Sequence, residues 1–211
     1  MTNSKQKGFT LVEIAIVLVI VGLLIGGVLK GQEMISNAKL KRIESDNAGI
    51  AAAMFSYQDR YLQLPGDDSD AEARFDIYTA STDNGNGNGI IGGNWTPANA
   101  TDETGLFWRH LRAAGLIPGN ATDSTQPRNA YGGLTGIRND SLGIPGHVII
   151  FSQIDGPIAK ILEAKLDDGA PNAGRIQSGQ SSGASPVNMD TATAGSGAYD
   201  DTEQYSMAFR L

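Results

Sequence analysis

The sequence predicts an α+β chain in which one very long N-terminal helix is followed by a loop-rich domain of short helices and strands. Three observations carry that prediction. From Phe9 to Leu29 every residue is apolar or Gly except Thr10 and Glu13. From Gln32 to Tyr61 there is no Pro, and Ile43, Ile50, Met54, Tyr57 and Tyr61 recur at helical spacing. Beyond Leu64-Pro65-Gly66 the pattern breaks into short periodic runs separated by Gly, Asn, Asp and Ser.

The first stretch has the dimensions of a membrane span. About 21 residues at about 1.5 Å rise make a helix of about 31 Å, the thickness of a bilayer's hydrocarbon core. The segment contains no Pro, Asp, Lys or Arg. The head before it carries Lys5 and Lys7, which the positive-inside rule keeps in the cytoplasm, so the remainder of the chain faces outward. Lys39, Lys41 and Arg42 lie on the far side, but at a distance and in the company of Glu33 and Glu44.

Glu13 is out of place in such a segment. An isolated carboxylate in lipid costs at least about 2.5 kcal/mol and needs a partner. A cut after Gly8 would make Phe9 the first residue, and its new amine would sit one helical turn from Glu13. The amine of Phe9 in the same chain, or in a neighbouring copy, could then neutralise the acid. An ordinary secretory signal does not fit, because its apolar core is about 7–15 residues long and a small-residue cleavage site follows it. Lys30-Gly31-Gln32 offers no such site. A plain single-span anchor fits the length, but leaves Glu13 and Gly8-Phe9 without a reason.

Gly8-Phe9-Thr10-Leu11-Val12-Glu13 followed by a long apolar helix resembles the prepilin signal of type IV pilins and type II secretion pseudopilins. The resemblance implies cleavage between Gly8 and Phe9 by a membrane aspartyl peptidase and N-methylation of Phe9. It further implies use of Glu13 to dock each new subunit onto a growing filament. The fold it implies is a long helix, half transmembrane, packed on a small antiparallel sheet. The partners it implies are the prepilin peptidase/methyltransferase, other pilin subunits, an inner-membrane assembly platform, and membrane lipid before assembly. Many major pilins carry a Pro late in the apolar segment and a C-terminal disulfide; this chain has neither, which points to a minor pilin or pilin-like protein. The organisation that follows is leader 1–8, membrane and assembly half-helix 9–29, amphipathic half-helix 30–62, and head domain 63–211. Gly22, Gly26, Gly27 and Gly31 provide small-residue spacings at which helices can approach closely, although Gly is common in membrane helices in any case.

The head is read in order. Asp67, Asp68 and Asp70 after Pro65-Gly66 read as a turn and helix cap, in preference to an acid or metal site. In Asn84-Gly85-Asn86-Gly87-Asn88-Gly89-Ile90, the residues Asn84, Asn86, Asn88, Gly89 and Ile90 match positions 1, 3, 5, 6 and 7 of a calcium loop. Trp95 stands where the bidentate Glu belongs, so Ca²⁺ would need help from Asp83 or a distant acid. The same composition also suffices for a simple turn-rich loop. Glu103 to Leu116 reads as an amphipathic helix with Leu106, Phe107, His110, Leu111 and Ala114 on one face. Gly119 to Gly146 reads as loop or short irregular strands, and His147 opens the clearest strand, through Phe151. Both histidines read as packed or surface residues, not ligands.

A helix is expected from Asp155-Gly156-Pro157 through Ile158, Ile161, Leu162 and Leu166 to Gly169. Asp167 and Asp168 read as turn formers, Ser178 to Asp201 as an exposed loop, and Gln204 to Leu211 as a closing strand. Function classes narrow accordingly. The net charge of −7 and the pI of about 4.7 offer no basic stripe, so no nucleic acid is expected. Removing Lys5 and Lys7 with the leader takes the side-chain charge from −7 to −9. There is no Cys, hence no disulfide or thiol chemistry, and no nucleophile or phosphate-loop motif marks an enzyme.

Overall fold

The computed structural model describes residues 9–181 and 198–211. The chain divides into two compact units, Met1–Lys41 and Arg42–Leu211. Helix α1, Leu11–Tyr61, supplies most of the first unit's described residues and the opening of the second. Its end matches the sequence reading: Leu62 turns left-handed at φ 58°, its N–H still reaching Gln58 O, and Pro65-Gly66 follow. In the second unit α1 buries Ile43, Ile50, Ala53, Met54 and Tyr57, which is the predicted face. Tyr61, at its end, is only half-buried.

The remaining helices are α2 (Ala71–Arg74), α3 (Glu103–Ala113) and α4 (Gly156–Leu166). The strands are β1 (Thr135–Ser141), β2 (Ile144–Asp155), β3 (Ile176–Ser181) and β4 (Gln204–Arg210). They form one antiparallel sheet in the order β1-β2-β4-β3, which with α1 makes the α+β fold predicted. β1 and β2 are a tight hairpin: Ser141 pairs with Ile144, and both turn residues, Leu142 and Gly143, have positive φ. That is the turn geometry whose twist matches paired strands.

β4 inserts between β2 and β3, so the last strand is interior and not an edge. Its residues Tyr205 to Phe209 are buried without interruption, where alternation was read from the sequence. Both faces of the sheet are therefore covered. One gathers Trp95, Ile144, Val148, Ile150 and Ala208; the other pairs Ile149 with Phe209 and Phe151 with Met207. Phe151 and Phe209 meet edge to face at 5.4 Å, and each such fully buried side chain is worth roughly 1.5–3 kcal/mol.

At four elements the structure corrects or refines the reading of the head. Helix α3 is the amphipathic helix expected, but it is buried on more than one face: all residues from Glu103 to Leu111 are buried, with Arg109 Nη2 donating to Asp83 and His110 Nδ1 accepting from Gly66 N–H. The stretch before Gly146 contains strand β1, with a register shift between Asn139 and Ser141, and the start of β2, which opens at Ile144 and not at His147 because the tight turn pairs Ser141 with Ile144. Ser178 lies in β3 and is fully buried, so the expected exposed loop cannot begin there; residues 182–197 lie outside the described residues. The expected helix is present as α4; its inward positions are Ala159, Leu162 and Glu163, while Ile161 and Leu166 face out.

Candidate functional site

Phe9 is the first described residue, and Gly8 and the rest of the leader lie outside the described residues. Thr10 caps α1. Its N–H and its hydroxyl each donate to Glu13 Oε2 at 2.8 Å, and Glu13 N–H returns a bond to Thr10 Oγ1 at 3.2 Å. This reciprocal arrangement is a capping box, which satisfies orphan N–H groups at a helix start. It gives Glu13 a partner within its own chain, one encoded in the Thr10-x-x-Glu13 spacing. Around it the side chains of Phe9, Leu11, Val12, Ile14, Ile16 and Val17 are exposed, as are the apolar residues onward to Leu29. Gly22, Gly26, Gly27 and Gly31 have open space where a Cβ would stand. The helix is long and apolar enough to cross a membrane, and none of its apolar window is buried within the protein.

In the head, the Asn-Gly loop folds around two carboxylates. Asp67, fully buried, accepts from Asn88 N–H at 3.0 Å and Gly89 N–H at 2.6 Å. Glu103 accepts from Asn86 N–H at 3.1 Å and Gly92 N–H at 2.7 Å. The asparagine side chains are engaged with backbone: Asn84 Oδ1 accepts from Glu72 N–H, Asn86 Oδ1 from Asn88 N–H, and Asn88 Oδ1 from Ile90 N–H. Asp83 is committed to Arg109 at 2.5 Å, with Thr79 and Ala80 N–H groups on its other oxygen. Trp95 is buried in the sheet core. The distant acids facing the loop are thus Asp67 and Glu103, neither of which is adjacent in sequence.

Asp67, Asp68 and Asp70 lie in the turn expected, with Asp70 at the N-cap position of α2, but the first two are buried and reach beyond the turn. Asp68 is fully buried and accepts from Tyr57 OH at 2.7 Å and Asp70 N–H at 2.9 Å, with Arg74 Nε 3.2 Å away. Asp70 precedes α2 without a side-chain cap bond. His110, also fully buried, accepts from Gly66 N–H on Nδ1 at 2.9 Å, so Nε2 carries the proton and donates to Asp83 O at 2.8 Å. Burial holds its pKa below the usual histidine value. His147 is half-buried and takes Ile91 N–H on Nε2. Neither histidine lies beside a nucleophile among these bonds.

Glu163 is buried on the inner side of α4, with Oε2 accepting from Tyr199 OH at 2.9 Å and Oε1 without a hydrogen-bond partner among the described residues. Burial, more than the nearby Asp167 and Asp168 charges, pushes its carboxyl up to about 7. Asp167 Oδ2 accepts from Arg175 and Ile176 N–H groups and Asp168 Oδ1 from Ala170 N–H, which makes both the turn formers expected. One carboxylate oxygen of each of Glu163, Asp167 and Asp168 falls within 4.8 Å of the others.

Residues 3–29 match the family described as the prokaryotic N-terminal methylation motif. The match takes in the basic head, Gly8-Phe9, Glu13 and the apolar run, so the chain opens with a prepilin-type signal of the type IV pilin and pseudopilin kind. Neither the curated proteins nor the solved structures give a match to this chain.

Proposed function

We propose that this chain is a prepilin, cleaved between Gly8 and Phe9, N-methylated on Phe9, and assembled into a type IV pilus or a type II secretion pseudopilus. The observation that carries the reading is the methylation motif running into a helix whose apolar side chains from Phe9 to Leu29 are exposed among the described residues. Before assembly, lipid covers that surface; in a filament, the same surface of neighbouring subunits replaces lipid. Glu13 then exchanges its Thr10 cap for the Phe9 amine of its own or an adjacent subunit. The head stays outside the cytoplasm as a single-pass domain of the inner membrane. Its role is structural, and its partners are the processing peptidase/methyltransferase, the assembly platform and other pilin subunits.

Replacement of Glu13 tests this directly. Expressed in a strain with its assembly machinery, the wild-type chain is expected in the sheared filament fraction. Glu13→Ala is expected to reach the membrane at the same level and remain there. Equal distribution of the two would overturn the reading and leave a membrane anchor that does not polymerise.

A further inference from the structure

Three Asn-Gly steps follow one another from Asn84 to Gly89. Asn-Gly is the pair most open to deamidation, because glycine puts no side chain in front of its backbone nitrogen. The glycine nitrogen, having given its proton to water, attacks Cγ of the preceding asparagine. The Cγ–Nδ2 bond breaks and Nδ2 leaves as ammonia, taking a proton from water. A second water opens the resulting succinimide: its hydroxyl joins one of the two carbonyl carbons and its proton returns to the nitrogen, giving aspartate or isoaspartate. Nothing is oxidised or reduced, and solvent water is the only co-reactant.

The fold occupies the nucleophile at every step. Gly85 N–H donates to Asp68 O at 2.8 Å, Gly87 N–H to Asp67 O at 3.0 Å, and Gly89 N–H to Asp67 Oδ2 at 2.6 Å. An amide held against a carbonyl or carboxylate oxygen gives up its proton reluctantly, since the anion left behind would face negative charge. The electrophile is restrained too, by the backbone N–H groups that hold the three asparagine Oδ1 atoms.

The hazard is built into the geometry. A Cβ at position 85 would lie 2.3 Å from Gly66 O and 2.4 Å from Asp67 Cα, while Gly87 and Gly89 sit at φ 72° and 82°. Glycine is required at 85 by the backbone against it, and favoured at 87 and 89 by their left-handed conformation. Asparagine before each glycine keeps the loop neutral where Asp67 and Glu103 already place two carboxylates; aspartate at 86 or 88 would set like charges together.

We propose that the loop from Asn84 to Gly89 is a conformationally gated deamidation site, locked by Asp67, quiet in the folded head and reactive whenever the loop opens. Asn88 is the step that the Asp67 side chain controls, because the Gly89 N–H is held by its carboxylate, whereas those of Gly85 and Gly87 are held by backbone carbonyls. The reaction runs one way. Isoaspartate at 88 lengthens the main chain by one atom and takes Gly89 N–H off Asp67, and aspartate there repels Asp67. Each event therefore favours the open loop further.

Peptide mass spectrometry on the detergent-solubilised full chain, incubated at mildly alkaline pH, reads each step by the mass gained when ammonia leaves and water enters. All three steps are expected to run at least about tenfold slower in the folded chain than in the same chain in urea. The suppression at Asn88 should equal the hydrogen-exchange protection of the Gly89 amide, because both report one opening. Asp67→Asn, which replaces a charged acceptor by a neutral one, should speed Asn88 about tenfold relative to Asn84. Folded and urea rates that agree would overturn the proposal, and so would a protected Gly89 amide beside an unsuppressed Asn88. Both comparisons use the wild-type chain, so they decide the matter even where Asp67→Asn fails to fold.

Discussion

Residues 9–29 and the interior of the head treat polarity in opposite ways. The N-terminal segment shows Leu, Ile and Val outward and keeps its acid, Glu13, at the helix start on a cap. The head buries aspartate, histidine, arginine and glutamate, and satisfies them across long sequence separations: Tyr57 to Asp68, Gly66 to His110, Asp83 to Arg109. The first region is stable only with a partner, lipid or another helix, because its apolar surface is unburied. The second is self-contained, and its stability hangs on a few polar bonds whose loss leaves a buried group unpaired.

The contrast breaks most sharply at Asp68. Asp68→Ala strands Tyr57 OH inside the head, frees Asp70 N–H and leaves Arg74 only Asp70 as a carboxylate partner, and should cost about 3–4 kcal/mol of head stability. Urea unfolding of the detergent-solubilised chain measures it; membrane insertion of the apolar segment should not change. A smaller loss, about 2–3 kcal/mol, is expected for His110→Leu, which orphans Gly66 N–H and Asp83 O.

The wild-type histidine also sets a pH limit. Its pKa is lowered in the fold, so the unfolded chain takes up the proton first as pH falls below about 6.5, and stability declines from there. His110→Leu should lack that component of the decline.

Glu163 supplies the opposite sign. Its folded value of about 7 lies above the unfolded 4.5, so the folded chain holds the proton longer and loses stability as pH rises through that window. Glu163→Gln removes the group that titrates. The variant should match wild type near pH 4 and exceed it at pH 8, by on the order of 2 kcal/mol in a denaturation midpoint series. An advantage independent of pH would show that packing, not charge, governs this position. The smallest effect is local: Thr10→Val should cost about 1 kcal/mol at the start of α1, seen as faster amide exchange at Leu11 to Glu13 and no change in the head.

Legibility from sequence follows the same divide. The long helix, its end at Tyr61, its buried face and the Gly8-Phe9 and Glu13 signal are all encoded by neighbours within a few turns, and periodicity or a contiguous motif exposes them. The capping box is equally local, in Thr10-x-x-Glu13, although an acid inside an apolar segment also suits an amine partner. In the head, Asp67 and Asp68 sit in a sequence that suits a turn, and nothing within four residues announces Tyr57, Arg74, Asn88 or Gly89 as their partners. The helix α3 has the composition of an amphipathic segment; its polar face is buried because Asp83 and Gly66, far away in sequence, come to meet it. β3 was taken for loop because Gly and Ser lower strand propensity, and it is held by β4, whose pairing no local rule reports.

The central claim is that the N-terminal helix serves assembly after processing, and the mass of the chain's N-terminal peptide tests it most directly. Recovered from the native envelope, the chain should begin at N-methylated Phe9. A chain that still begins at Met1, in cells whose prepilin peptidase is present and active on its other substrates, would contradict the account and leave α1 as a simple anchor.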